Sequence, residues 1–247
     1  MNIYDKTAED VIKPDFFEEY ERLHKDIWGR LIQINTSITI LETISNYPLK
    51  HISSPQNNIF WSMVHWNFIY SVIVLLHGLI SDQGGSKLTL QRMKNKVDLW
   101  IKDDMRSDFR EHVKKAKFDS EIRILRKKAA NMRNKIIAHR AIVNDKDRVE
   151  GMRVSDVRKL FEAAERLFQA CCFGTEYVTT FYLDSTCGGK PVKRDIDELL
   201  EMLVKNSYWF NMPEKRGEFW EMDKKYMNKE ELKDLIKWRK KLGVDNI

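Results

Sequence analysis

The stretch FFEEYERLHKDIWGRLIQINTSITILETISNY, residues 16–47, decides the fold class of this chain. Its apolar side chains recur every three or four residues, a spacing that places them on one face of a helix. Pro14 and Asp15 supply a helix start directly before it. The stretch therefore predicts one long amphipathic helix whose buried stripe consists of Phe16, Tyr20, Leu23, Ile27, Leu31, Ile34, Ile38, Leu41 and Ile44.

The rest of the chain predicts an all-α fold. Only 10 Gly and 5 Pro interrupt 247 residues, and no Asn-Gly or Asp-Gly turn separates two alternating segments. Ser155 is a plausible N-cap, and Asn228 with Glu231 resembles a capping box. We predict further helices over residues 59–80, 87–103, from near 120 to 136, from 156 into the 170s, and from 228 onward, with a linker or short helix over 104–120.

The predicted helix over residues 59–80 has no formal charge and is long enough to span a membrane. It contains several polar residues, and no cluster of Lys or Arg lies close to either end. We interpret it as the buried central helix of a bundle, with His65 and His77 as core histidines. On this interpretation, we expect that the protein does not bind a membrane.

The cysteines indicate a reducing compartment. There are 3 Cys, two of them adjacent, with no CxxC pair. This usage argues against a disulfide framework and against a zinc site. The first residues also lack the basic-then-apolar layout of a signal peptide. We expect a cytoplasmic protein.

Positive charge is concentrated in one part of the chain. The formal net charge is +6, whereas residues 102–148 hold 15 Lys and Arg against 8 Asp and Glu. This local field indicates a polyanionic partner, with nucleic acid the first candidate and a solvated helix face the alternative. Residues 122–144 contain no carboxylate but seven cations, namely Arg123, Arg126, Lys127, Lys128, Arg133, Lys135 and Arg140.

The stretch RNKIIAHR, residues 133–140, holds residue types that suit phosphodiester cleavage. The imidazole of His139 can exchange a proton near pH 7. The guanidinium of Arg133 can hold a phosphate, and Asn134 can orient either group. Such a set requires neither metal nor cofactor. The alternative is a capping histidine beside ordinary basic residues.

The spacing bears on how this pair can act. Six residues on one straight helix leave Arg133 and His139 roughly 120° apart around the axis and about 9 Å apart along it. The two side chains converge only if the helix frays before His139 or if two copies of the segment face each other in a homodimer. In the dimer, Arg133 of one protomer approaches His139 of the other.

The segment LRKKAANMRNKIIAHR, residues 125–140, resembles the signature of the HEPN family. In that signature a His follows an Arg after a spacer of four to six residues, and a polar residue stands directly after the Arg. GLISDQGGSKLTLQRM, residues 78–93, looks like the preceding segment in the abortive-infection (AbiU-type) branch. The resemblance implies an all-α bundle that dimerises with two motifs facing each other. It assigns Arg133 and His139 as the catalytic pair of a metal-independent ribonuclease, with Asn134 in support.

Several further expectations depend on this resemblance. It implies a toxin or phage-defence effector acting on RNA, and as a further partner an antitoxin of nucleotidyltransferase type. On charge alone, we assign Lys127, Lys128, Lys135 and Arg140 to RNA contacts. Two alternatives are a non-catalytic HEPN module that binds RNA, a nucleotide or a protein, and a helical interaction protein whose motif is coincidental.

The sequence also predicts two regions. Residues 1–190 form the HEPN-like bundle, and residues 191–247 form a helical C-terminal extension packed on it. The extension contains Trp209, Trp220 and Trp238 among Lys and Arg residues. We interpret these aromatic residues as packing contacts, with base stacking as the alternative.

Overall fold

The computed structural model describes residues 3–47, 58–81, 88–134, 152–174, 186–187, 190–191, 195–206 and 229–241. The helices in chain order are α1 (Ala8–Val11), α2 (Phe17–Asn46), α3 (Asn58–Ile80), α4 (Leu90–Trp100), α5 (Arg106–Lys115), α6 (Phe118–Asn131), α7 (Val154–Gln169), α8 (Asp195–Asn206) and α9 (Lys229–Lys241). Short 3-10 turns occur at Ile3–Asp5, Pro14–Phe16 and Asp103–Met105. The strands β1 (Thr186–Cys187) and β2 (Lys190–Pro191) pair antiparallel. The predicted all-α fold is confirmed.

The predicted stripe of α2 is buried along its length. Every member from Tyr20 to Ile44 is at most 9% exposed, as the three-or-four spacing requires. Phe16 is the exception, because it lies before the helix, where it stacks on Trp100 at a centroid distance of 5.8 Å.

One of two predicted alternatives is confirmed, and one helix start differs from the sequence prediction. The segment after residue 103 contains a short helix, α5, which is one of the two expected alternatives. α7 begins at Val154, so Ser155 lies inside the helix and is not its N-cap. The carboxylate of Asp156 accepts a hydrogen bond from the Arg153 backbone N–H instead. A carboxylate in the first turn satisfies a donor that the helix leaves unpaired. The predicted cap at Asn228 lies outside the described residues.

α3 is buried only over its second half. Phe60–Ile80 is long and apolar enough to cross a membrane by length and composition, with a mean hydropathy of 1.6, and 39% of it is buried inside the protein. Phe60, Met63 and Trp66 are exposed, whereas the buried positions are Ile69, Val72, Ile73, Leu76, Leu79 and Ile80. The expectation of a central helix is therefore wrong for the first half. His65 is half-buried rather than a core residue, whereas His77 is 7% exposed.

The chain divides into two compact units. The first comprises Met1–Ile38 and Phe68–Phe181, and the second Thr39–Asn67 and Tyr182–Ile247. The expected boundary at residue 190 stays a prediction.

In the first unit, α7 packs against α6 and α4. Its buried face repeats every three or four residues, as a helix packed on one side requires, and includes Val157, Leu160, Phe161, Ala164, Leu167 and Phe168. α4 and α5 are joined by charge, since Arg110 donates to both carboxylate oxygens of Asp98 at 2.7 and 2.8 Å. Two parallel bonds of this kind fix orientation as well as distance.

The N-terminal segment is tied to two distant parts of the first unit. The Tyr4 hydroxyl donates to the Ala170 carbonyl at 2.8 Å, and the Gly174 N–H donates to the Tyr4 carbonyl at 3.1 Å. The Lys13 N–H donates to the Trp100 carbonyl at 2.8 Å. Backbone bonds of this type satisfy polar groups that would otherwise be unpaired where the chain is buried.

In the second unit, Tyr47 connects elements that are far apart in sequence. Its ring packs on Trp238 of α9 at 5.2 Å, and its hydroxyl donates to the Asp197 carbonyl of α8 at 3.4 Å. The Lys241 ammonium lies over the Trp238 ring at 4.4 Å. Trp238 therefore makes the packing contact that we predicted, whereas Trp209 and Trp220 lie outside the described residues.

We predict that Gly174→Ala destabilises the protein by about 1–3 kcal/mol. Gly174 has φ +75°, and an added Cβ would meet the Lys6 carbonyl oxygen at 2.9 Å. Gly29→Ala is the matched control, because Gly29 lies in α2 with nothing within 4 Å of an added Cβ. That control should stabilise the protein by about 0.5–1 kcal/mol. Urea unfolding measures both, and equal stability of the Gly174 variant and wild type would contradict the argument.

We also predict that stability falls between pH 6.5 and pH 4 because of His24. Burial lowers the pKa of His24 from 6.5 to about 4. In this window the unfolded chain binds a proton that the folded chain does not, so stability rises with pH. The contribution is roughly 3 kcal/mol, present above pH 6.5 and lost toward pH 4. Unfolding of wild type and His24→Gln across this range tests it, since the variant should lose this part of the slope.

Candidate functional site

α6 positions the basic segment by burying one stripe of side chains. Ile122, Ala129 and Met132 are at most 2% exposed, and α6 packs against α7. Leu125, also predicted for the stripe, is half-buried, and Ile136 lies outside the described residues. Because these apolar positions face inward, the cations between them are directed outward.

The regular helix changes where the candidate residues begin. Met132, Arg133 and Asn134 form a π-helical turn directly after α6. Turns of this kind are rare in proteins and are frequently found at functional sites. Arg133 is exposed and donates from Nη1 to Oδ1 of Asn134 at 2.9 Å. The Asn134 side chain thus contacts the guanidinium of Arg133, and its supporting role in a reaction stays a prediction.

Several cations on and directly after α6 lack a described carboxylate partner. Among the described side chains, no carboxylate forms a salt bridge with Arg123, Arg126, Lys127 or Arg133. The neighbouring α5 differs, because it pairs three of its cations. Arg106 bonds Asp103 at 2.7 Å, Arg110 bonds Asp98, and Lys115 bonds Glu111 at 2.7 Å. The uncompensated charge of α6 favours an anionic ligand over internal pairing.

A histidine from another helix lies near this charge. His77 of α3 is 7% exposed, and its Nε2 lies 3.3 Å from the Ser81 hydroxyl oxygen. Burial, followed by the charges of Arg133 and Arg126, lowers the pKa of His77 below its ordinary value. Arg126 and Arg133 are seven residues apart, a spacing that places both on one helix face. The imidazole is therefore neutral at pH 7 beside two cations.

The predicted site residues are placed as follows. Arg133 and Asn134 are in contact, Lys127 is exposed and Lys128 is half-buried. Lys135, His139 and Arg140 lie outside the described residues, so the Arg133–His139 pairing stays a prediction. Sequence reasoning missed the proximity of His77 and Arg126 to Arg133. The only signal in the sequence was that His77 is a polar residue in an uncharged helix. The residues that lie near it depend on tertiary packing, which a local pattern does not record.

A thiol and an imidazole lie next to each other in the buried part of the first unit. The His24 Nε2 lies 3.2 Å from Sγ of Cys172, and both residues are buried. Burial raises the pKa of the Cys172 thiol, and it lowers that of His24 to about 4. Both groups are then neutral at pH 7, which is opposite to the thiolate–imidazolium state of a nucleophilic pair. The pair is therefore structural.

Neither a surface cleft along α2 nor a cluster of metal ligands offers another candidate site within the described residues. A cleft of about 610 Å³ runs along α2, where Glu18 and Glu21 offset Arg22 and Lys25. Because these charges cancel, the cleft does not attract a polyanion. Within the described part of the chain, no three His, Cys, Asp or Glu side chains are grouped to hold a metal ion.

The family comparison covers well over half of the chain. A family model described as AbiU2, of the HEPN group, matches residues 14–185. This range includes α2 to α7, both segments of the resemblance and the whole of RNKIIAHR. No curated protein and no solved structure gave a significant match.

We predict that Lys127→Gln weakens binding of single-stranded RNA about equally for all sequences. Lys127 is exposed and unpaired among the described side chains, so it suits a phosphate contact. One lost contact should reduce the slope of log K against log salt by about 0.7. Fluorescence anisotropy at salt concentrations from about 50 to about 200 mM measures this slope. Lys114→Gln, exposed on α5, is the control, and an equal loss in both variants would contradict the assignment.

Proposed function

The chain belongs to the AbiU2 branch of the HEPN family, and from that premise we propose that it is a metal-independent endoribonuclease. Its role is that of a toxin or phage-defence effector that cleaves RNA during abortive infection. The proposed substrate is RNA, whose ribose 2′-hydroxyl serves as the nucleophile of the proposed reaction.

One observation carries the proposal beyond family membership. The helix α6, in which Arg123, Arg126 and Lys127 form no salt bridge with a described carboxylate, ends in a π turn. This turn presents Arg133, whose Nη1 donates to Oδ1 of Asn134 at 2.9 Å. A guanidinium held in this way can bind a phosphate by two parallel bonds. It also stabilises the charge that develops on the phosphoryl oxygens in the transition state. An ordinary solvated helix face requires neither the π turn nor the orienting amide.

The proposed reaction is an internal transesterification. A base takes the proton of the 2′-hydroxyl, and the 2′-oxygen attacks the adjacent phosphorus. The bond from phosphorus to the 5′-oxygen breaks, and an acid protonates that oxygen. The products are a 2′,3′-cyclic phosphate and a free 5′-hydroxyl. His139 supplies one of these proton transfers, and Arg133 binds the phosphate throughout.

The proposed active form is a homodimer. Six residues on a regular helix place Arg133 and His139 roughly 120° apart, so one copy alone does not readily surround one phosphate. Two facing segments bring Arg133 of one protomer toward His139 of its partner. In the cell, an antitoxin of nucleotidyltransferase type is the proposed partner that restrains this activity.

We predict that the purified wild-type protein cleaves RNA in the presence of EDTA and leaves cyclic phosphate ends. His139→Ala and Arg133→Gln should each lose at least about 100-fold in cleavage rate, because each removes a group that acts in the transition state. Denaturing gels measure cleavage, and circular dichroism verifies that the variants are folded. Lys114→Gln, an exposed cation of α5, should cleave at the wild-type rate.

Expression in a bacterial host extends this test to the cell. Wild type should slow growth and fragment total RNA, whereas His139→Ala should do neither. RNA binding with steep salt dependence but without cleavage would instead identify a non-catalytic module. Wild-type cleavage that persists in folded His139→Ala would show that the proposed site is wrong.

A further inference from the structure

We propose that the outer face of α6 binds a single strand of RNA along the helix axis, with Arg123 and Lys127 on its phosphates and Ile124 against one of its bases. The proposal rests on the proposed function and deepens it, because it specifies the form of RNA that reaches Arg133. Neither the family resemblance nor the charge pattern assigns a role to Ile124.

The first observation is a row of exposed polar side chains along α6. The row consists of Arg123, Lys127 and Asn131, which are exposed and lie four residues apart on one side of the helix. Each step of four residues advances about 6 Å along the axis. That step is comparable to the distance between neighbouring phosphates of an extended strand, so successive phosphates can meet successive side chains of the row.

The row leads to the residue that holds the scissile phosphate in the proposed reaction. Asn131 is the last residue of α6, and Arg133 follows it in the π turn, exposed and bonded to Asn134 at 2.9 Å. Arg123 lies about 12 Å before Asn131 along the helix axis. A strand whose cleaved phosphate contacts Arg133 therefore extends over Lys127 and Arg123.

The cations of the row are not paired with side chains that the structure describes. Neither Arg123 nor Lys127 forms a salt bridge with a described carboxylate. The carboxylates of α6 are confined to its first four residues, at Asp119 and Glu121. A helix C-terminus also attracts cations, but only within its last turn, and Arg123 lies about two turns before that end. The helix itself therefore does not account for the charge at position 123.

The second observation is an apolar side chain beside the row. Ile124 is 71% exposed, the largest exposed fraction among the large apolar side chains that the structure describes. It lies three residues before Lys127, so the two side chains are neighbours on the helix surface. A single exposed apolar residue is ordinary on a protein surface. Ile124 differs because a phosphate on Lys127 brings the attached base within its reach.

The combination of cations and an apolar side chain selects a single strand. In a duplex the faces of the bases are stacked on one another, so a protein reaches only phosphates, sugars and base edges. In a single strand the base faces are accessible and can pack on a side chain next to the backbone contacts. A duplex therefore keeps the contacts of Arg123 and Lys127 but loses that of Ile124.

An acidic protein surface is the competing partner for the same cations. Carboxylates pair with arginine and lysine as phosphates do, so charge alone does not separate the two classes. The observations favour RNA because the row continues to Arg133, whose part in the proposed reaction is to hold a phosphate. Polyglutamate is the probe for the competing class.

The main experiment measures binding of an oligonucleotide that the protein cannot cleave. 2′-O-methyl RNA lacks the nucleophilic hydroxyl, so fluorescence anisotropy with the full-length protein reports affinity alone. Probes of about 4 to about 16 nucleotides are used as single strands and as matching duplexes. Ile124→Ser should lose about 5-fold in affinity for the single strand, because it removes an apolar contact. It should keep the duplex affinity and the salt slope of wild type.

The charge contacts are tested by the salt dependence of single-strand binding. Arg123→Gln should lower the slope of log K against log salt by about 0.7, and the double variant with Lys127→Gln by about 1.4. Leu99→Ser and Arg22→Gln are matched controls, since Leu99 is 67% exposed on α4 and Arg22 is exposed on α2. Both should keep the affinity and slope of wild type. Circular dichroism verifies that all variants are folded.

The outcomes separate this inference from the proposed function. Ile124→Ser that binds the single strand as wild type does, or Arg123→Gln with the wild-type slope, would overturn the inference. Equal losses by Ile124→Ser on single strand and duplex would also contradict it, as would binding of polyglutamate without binding of RNA. Cleavage of ordinary RNA by the same preparations is measured separately. The expected binding effects without any cleavage would contradict the proposed function and support the assignment of the α6 face.

Discussion

The packing of α6 on α7 is the contact on which the candidate site depends. α7 offers a continuous apolar face, and α6 meets it with Ile122, Ala129 and Met132. A helix has only one such stripe, so this choice also determines which residues face outward. The contact continues past the end of α6, where the Met152 N–H donates to the Met132 sulfur at 3.4 Å. Arg133 is thus next to the last anchored residue of the helix.

The helices α5 and α6 differ in how far their positive charges are paired with carboxylates. Arg106 and Arg110 of α5 are each paired with a carboxylate, whereas Arg123, Arg126 and Lys127 of α6 form no salt bridge with a described carboxylate. Unpaired cations repel one another and reduce stability unless a ligand compensates them. The pKa of the buried His77 imidazole lies below its ordinary value, first because of burial and then because of the charges of Arg133 and Arg126. Binding capacity and folding stability therefore oppose each other at the same few residues.

Local pattern predicted the elements well, and tertiary contact explains where it failed. The stripes of α2 and α7 followed from periodicity, because a buried helix face repeats every three or four residues. Ser155 was assigned as the N-cap, but the helix begins at Val154 with Asp156 in its first turn, so the start lies two residues before the predicted one. Arg133 and Asn134 were found from the motif. The proximity of His77 was not, since 56 positions separate it from Arg133 and nothing local records that contact.

The contacts of Tyr4 have a consequence for how the molecule is made. Residues 3–13 precede the segment that the family model matches, yet their partners lie at Trp100, Ala170 and Gly174. Residues 3–13 leave the ribosome well before these partners do. Closure of such long-range contacts is slow compared with helix formation. Residues 3–13 are consequently among the last to settle, and a nascent chain that ends before residue 174 lacks groups that hold them in place.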